Sequence, residues 1–156
     1  MRAGVRLAID VGSVRIGLAH CDGEGRLASP LTMVPRGRGD LDAIARLATA
    51  DNVIEILIGL PVGLSGREGQ AAAGARAFAA RLAARVAPVP VRLVDERFTT
   101  VIAHDVLRQS GSDARGRRPR VDSAAAALLL QGALDLERST GRPAGELVGA
   151  ATGGAG

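Results

Sequence analysis

The stretch Val5-Arg6-Leu7-Ala8-Ile9-Asp10-Val11-Gly12-Ser13-Val14-Arg15-Ile16-Gly17-Leu18-Ala19 decides how the rest of the chain is read. Val5, Leu7 and Ile9 alternate with Arg6, Ala8 and Asp10, the period-two pattern of a strand over 5–10. That strand delivers a carboxylate to its own tip. Gly12 and Gly17 then keep the following backbone bare enough for a large anion or a metal to approach. Residues 14–20 read as a second strand, and Asp22-Gly23-Glu24-Gly25 is a hairpin signal leading to a third at 26–34.

Helices and strands alternate from there. Asp40 is placed to cap a helix through residue 50, with Leu41, Ile44 and Leu47 on one face. The apolar run 53–58 suits a buried strand. A loop carrying Gly63, Gly66 and Gly69 leads to a helix over 68–86 whose inner stripe is Ala75, Phe78, Ala79, Leu82 and Val86. A strand over 90–96 follows, then a helix capped by Thr99 or Thr100 that runs to Gln109. A polar Arg-rich loop at 110–120 precedes a last helix at 122–138, with Asp122 as its N-cap. The order β-β-β-α-β-α-β-α-α predicts one α/β domain over 1–138. Its mixed five-stranded sheet combines three antiparallel meander strands with two parallel ones and carries helices on both faces. Residues 139–156, rich in Gly and Ala, read as a disordered tail whose removal after Arg138 leaves the melting temperature nearly unchanged.

Composition narrows the function classes. Hydrophobic residues make up 47% of 156 and charged ones 23%, which fits a soluble globular domain able to bury a core. No apolar run reaches the roughly 18 residues that a membrane span needs. Phe78 and Phe98 are the only aromatics, too few for binding by rows of stacked bases. Cys21 is the only cysteine, so an intrachain disulfide is excluded and the cytoplasm is the expected compartment; joining two chains through Cys21 stays open, as does a monomer or weak homodimer. Net charge is +4, and all 20 basic side chains are Arg, whose fork matches phosphate. Arg115, Arg117, Arg118 and Arg120 crowd into one stretch that suits either a solvated loop or phosphate contact.

Three acids stand at element ends: Asp10, Glu96 and Asp122. Two unit charges 4 Å apart repel by about 4 kcal/mol at an effective dielectric of ~20, so gathered carboxylates favour a divalent cation. Hard oxygen donors suit Mg²⁺ or Mn²⁺, and such ions work on phosphates. His20, His104 and Cys21 lack the spacing of zinc ligands. Strand alternation puts Asp10 on the face of Arg6 and Ala8, and Glu96 on that of Arg92 and Val94; Asp95 falls on the other, which favours Glu96 as the ligand. Each acid has a second reading: an Asx turn at Asp10, a surface ion pair between Glu96 and Arg97, a helix cap at Asp122.

Four ordered blocks resemble the YqgF/RuvX family, described both as Holliday junction resolvases and as pre-16S rRNA nucleases. They are Asp10-x-Gly12-x-x-Arg15-Ile16-Gly17-x-Ala19, then Ile58-Gly59-Leu60-Pro61 with Gly63, Gly66 and Gly69, then Asp95-Glu96-Arg97-Phe98-Thr99-Thr100, and finally Asp122-x-Ala124-Ala125-Ala126 with Leu130-Gln131 and Leu134. The resemblance spans residues 5–137, departing from the family at Val14 and Phe98. It implies an RNase H-like fold and a Mg²⁺- or Mn²⁺-dependent nuclease with Asp10, Glu96 and Asp122 as catalytic metal ligands. It also implies Arg15 and Arg97 as phosphate contacts, beside the Arg115, Arg117, Arg118 and Arg120 cluster.

The first functional expectation is therefore an endonuclease on structured nucleic acid, with precursor 16S rRNA processing ahead of branched-DNA resolution in recombination and repair. Two other classes compete. One is a nucleotide-binding module of the actin-like type, which also starts on a strand-end Asp-x-Gly but needs two lobes. The other is a non-catalytic nucleic-acid adaptor.

Overall fold

The computed structural model describes residues 1–63, 65–98 and 118–149, with the side chains of residues 98 and 118–122 outside that description. Six strands and three helices follow in chain order: β1 Arg6–Val11, β2 Arg15–Cys21, β3 Ala28–Pro35, α1 Asp40–Ala50, β4 Glu55–Leu60, α2 Gln70–Val86, β5 Val91–Asp95, α3 Arg118–Thr140 and β6 Glu146–Leu147. A single 3-10 turn, Glu96–Phe98, closes β5. The expected helix over 99–109 lies outside the described residues.

The sheet order is β3-β2-β1-β4-β5-β6. β1 and β2 pair antiparallel, as do β2 and β3, which is the meander the first 35 residues predicted. β1 then pairs parallel with β4, and β4 parallel with β5. Alternation along these strands separates two cores. Leu7, Ile9, Ile56, Ile58 and Leu93 meet α1 and α2 through Ile44, Phe78, Ala79 and Leu82. Ala8, Ala19, Leu57 and Val94 meet α3 through Ala126, Leu129, Leu130 and Ala133. The second core mixes alanines with leucines on both partners, with a valine on the sheet side.

Beneath α3, at the end of the sheet where β1 begins, lies a buried charge network. Arg6 and Glu137, 1% and 4% exposed, pair at 2.9 Å. Arg2 joins Glu137 at 2.7 Å and Glu55 at 3.1 Å, and Arg92 reaches Glu55 at 2.8 Å. Burial alone raises the Glu137 carboxyl, but hydrogen bonds from Arg2 and the Arg6 charge outweigh it and hold the group at about 2. Removing one partner of such a pair strands a buried charge, so the network fixes where the C-terminal half of α3 sits.

Four sequence expectations need correction. The sheet has six strands rather than five, because Glu146–Leu147 adds antiparallel to β5. A two-residue strand carries no periodicity, and its anchors are isolated: Ala144 and Val148 are buried, and the Val148 N–H donates to Val91 O at 2.8 Å. Residues 144–148 are thus structured, not tail. Residues 118–122 lie within α3, so Arg118 and Arg120 belong to a helix rather than a loop, and Asp122 sits inside that helix rather than capping it. α1 begins on Asp40 itself after Gly39 (φ 88°), and the Asp40 carboxylate accepts the Gly37 N–H at 2.9 Å.

Cys21 is buried, its Sγ accepting the Arg6 N–H at 3.2 Å, and burial pushes the thiol up; the geometry leaves it no access to a second chain.

Truncation after Arg138 removes β6 and uncovers β5, so its melting temperature should fall by about 5 °C or more. A thermal melt that matches the full chain would mean that β6 contributes nothing to stability.

Candidate functional site

The carboxyl ends of the parallel strands β1, β4 and β5 meet at one edge, the place where open α/β sheets hold their ligands. Asp10 stands at the end of β1 and pairs with Gly17 of β2. Glu96 follows β5 as the first residue of the 3-10 turn. β4 runs between them, and neighbouring strands lie about 4.8 Å apart, so two side chains from β1 and β5 must reach across β4 to meet. Gly59 makes that possible. A Cβ built on Gly59 would fall 2.8 Å from Glu96 Oε1 and 3.3 Å from Leu129 Cδ2, so the Glu96 carboxylate occupies the space that any other residue would fill.

The electrostatics follow from that geometry. Burial raises the Glu96 carboxyl above its ordinary range, and the charges of Asp10 and then Asp95 push it further. Asp95 is differently engaged. It accepts the Arg97 backbone N–H at 2.8 Å and the Arg97 guanidinium at 2.6 Å, which hold it below the usual carboxylate range. Of the two adjacent acids, Glu96 faces Asp10 and Asp95 serves Arg97.

Gly12 shapes the turn beside Asp10. Its N–H donates to Arg15 O at 3.0 Å, and a Cβ there would sit 2.5 Å from that oxygen. Asp10, Gly12, Gly59, Gln70 and Glu96 border a cleft of about 480 Å³. Arg15, the first residue of β2, is half-buried. Arg97, the residue after Glu96, is exposed and lies close to Gly66 of the glycine loop.

Asp122 lies on α3 four and seven residues before the buried Ala126 and Leu129, but its side chain falls outside the described residues. So do the side chains of Arg118 and Arg120, while Arg115 and Arg117 lie wholly outside them. Among the described residues no group of three His, Cys, Asp or Glu side chains gathers in metal-binding geometry. The described chain therefore brings together Asp10 and Glu96. Sequence reasoning quoted Gly59 within a motif without a reason for it. The signal was present: a glycine interrupting the buried run of β4, where close approach of another group is the usual cause.

A mixed sheet with a β-meander, two parallel strands and helices on both faces is an RNase H-like architecture. Among solved structures, T. thermophilus RuvC in complex with a Holliday junction substrate superposes with a TM-score of 0.57 at 18% identity, covering 90% of this chain and 99% of that one. At that identity the likeness concerns the fold. The sequence is more specific. The model of the RuvX family, described as Holliday junction resolvase, matches residues 4–136. A Nocardioides protein named "Putative pre-16S rRNA nuclease" is 58% identical over 153 residues, spanning 95% of this chain and 98% of its own. A protein of the same name from Thermobifida fusca is 56% identical over 155 residues, spanning 95% and 98%. The chain belongs to the RuvX family.

Gly59→Ala tests the crossing of β4. The flexible Glu96 tip is the group that yields, so circular dichroism and the melting temperature should stay near the parent's. Cleavage of phosphodiester substrates should fall about a hundredfold, the effect of displacing a reacting group by an ångström. Parental cleavage rates would mean that the position of Glu96 is immaterial.

Proposed function

We propose that this chain is a divalent-metal-dependent endonuclease that processes the 5′ end of precursor 16S rRNA in ribosome biogenesis. One observation carries the reading: two carboxylates from separate strands share one corner of a cleft, with Glu96 raised by burial and by the charge of Asp10. The oxygen-only donor set of such a pair fits a hard cation, Mg²⁺ or Mn²⁺. Asp10 and Glu96 would hold the ion, with Asp122 from α3 as the third ligand. When bound, it supplies a water activated for attack and charge stabilisation at the leaving oxygen.

The chain's own residues do the rest. Gly12 and Gly59 keep bulk away from the carboxylates, so a phosphodiester can come close to them. Arg97, held by Asp95, presents a pre-oriented guanidinium on the flank of the cleft. Arg15, together with Arg115, Arg117, Arg118 and Arg120, would follow the substrate backbone by phosphate contacts that fix register without reading sequence. The names of the Nocardioides and Thermobifida relatives support an RNA target.

A second reading has its own support. The RuvX family description names Holliday junction resolution, so a four-way DNA junction is the alternative substrate. Whichever nucleic acid is cut, the acids would act in the same way.

A Mn²⁺-dependent cleavage assay comparing a 16S precursor end with a four-way junction separates the two. Asp10→Asn, which removes charge and keeps shape, should lose roughly a hundredfold or more in rate while melting, without metal, at or above the parent's temperature because the push on Glu96 is relieved. Activity within about tenfold of the parent would place the reacting centre elsewhere.

A further inference from the structure

Arg36, the residue after β3, was assigned no part by the motifs, yet it borders the same cleft as Asp10 and Glu96. Three attachments hold it. Its backbone N–H donates to Val14 O at 2.9 Å, its Nη1 donates to Gly12 O at 2.8 Å, and its guanidinium carbon lies 5.6 Å from the centre of the Phe78 ring. Phe78 is fully buried in α2, so it is a fixed platform.

Arg36 combines its place at the cleft with a neutral partner. Arg2, Arg6, Arg92 and Arg97 each pair with a carboxylate. Among the described residues no carboxylate lies within ion-pair distance of Arg36, and its bonded acceptor is a neutral carbonyl. Among the described residues its charge is therefore not spent on an ion pair. A guanidinium has five N–H donors, and a bond to one carbonyl leaves the fork able to grip two oxygens of a phosphate. The aromatic face and the carbonyl fix its orientation beforehand, which lowers the entropy lost on binding.

We propose that Arg36 is a phosphodiester-binding residue, holding a backbone phosphate of the nucleic acid in the cleft beside the Asp10–Glu96 corner. This rests on the nuclease reading and adds to it a contact from the β3 side. Because the contact is to phosphate, it serves RNA and DNA alike. Gln70 and Gly74 of α2 form the wall along which the strand would pass.

The test is fluorescence anisotropy on the full chain in EDTA, so that no probe is cut. The probes are a labelled RNA stem with a single-stranded extension and a labelled four-way DNA junction. Arg36→Gln should weaken both by about tenfold, the loss expected for a charged hydrogen bond. It should also lower the slope of log affinity against log salt by about one. Arg36→Lys should recover the slope, because it restores the charge without the fork, while leaving affinity below the parent's. A residue that only secured the β1–β2 turn would shift the melting temperature and leave the slope alone. Parental affinity and slope in Arg36→Gln overturn the proposal, as does a loss confined to the RNA probe. If Arg36→Gln is too unstable to assay, Arg36→Lys decides: weaker binding at parental slope supports the contact, and parental affinity overturns it. A parent chain that binds neither probe overturns the nuclease reading as well, whereas one that binds both and ignores Arg36→Gln overturns this inference alone.

Discussion

Repulsion between Asp10 and Glu96 across the bare backbone of Gly59 is the constraint around which this end of the molecule is arranged. Two carboxylates on strands separated by a third would ordinarily stay apart, each solvated on its own side. A glycine in β4 opens the passage, Leu129 of α3 closes it from above, and burial then makes the proximity costly for charge. A fold that holds such an arrangement in place must be rigid on both sides of it.

The rigidity comes from two different packings. Toward α1 and α2 the sheet offers large aliphatics, and Phe78 fills the middle of that layer. Toward α3 it offers Ala8 and Ala19 beside Leu57 and Val94, and the helix answers with Ala126 and Ala133 beside Leu129 and Leu130. Small residues permit close approach but bury little area each, so this face gains less per contact. The Arg2–Arg6–Glu137–Glu55–Arg92 network compensates at the opposite end, fixing α3 by directional charge pairs rather than by area. The acids at the carboxyl ends of β1 and β5 and the ion network at the other end of the sheet are thus parts of one positioning scheme.

Much of this was legible beforehand because it lies in local patterns. Alternation in 5–20 marked two strands, the turn glycines marked the hairpin, and the stripe Ala75, Phe78, Ala79, Leu82 and Val86 marked the buried face of α2. Alternation also separated Glu96 from Asp95, which the Arg97 ion pair explains physically. What escaped was non-local. Glu137 reads as an exposed helix acid until Arg2 and Arg6 arrive from more than 130 residues away. β6 is held by two buried side chains and a few backbone hydrogen bonds, with no pattern to announce it. Asp122 reads as a cap because the Arg-rich stretch before it reads as a loop, whereas α3 already includes Arg118 and Arg120. Gly59 mattered through its absent side chain, and only the approach of Glu96 gives that absence a meaning.

Calorimetric titration of the full chain with Mn²⁺, in a thermodynamic cycle of Asp10→Asn, Glu96→Gln and the double variant, probes the shared corner most directly. If the two carboxylates grip one ion, each single change weakens binding by at least about tenfold and the double change costs clearly less than the product of the two. Affinities that are unaffected by either substitution, or effects that simply multiply, would contradict the account.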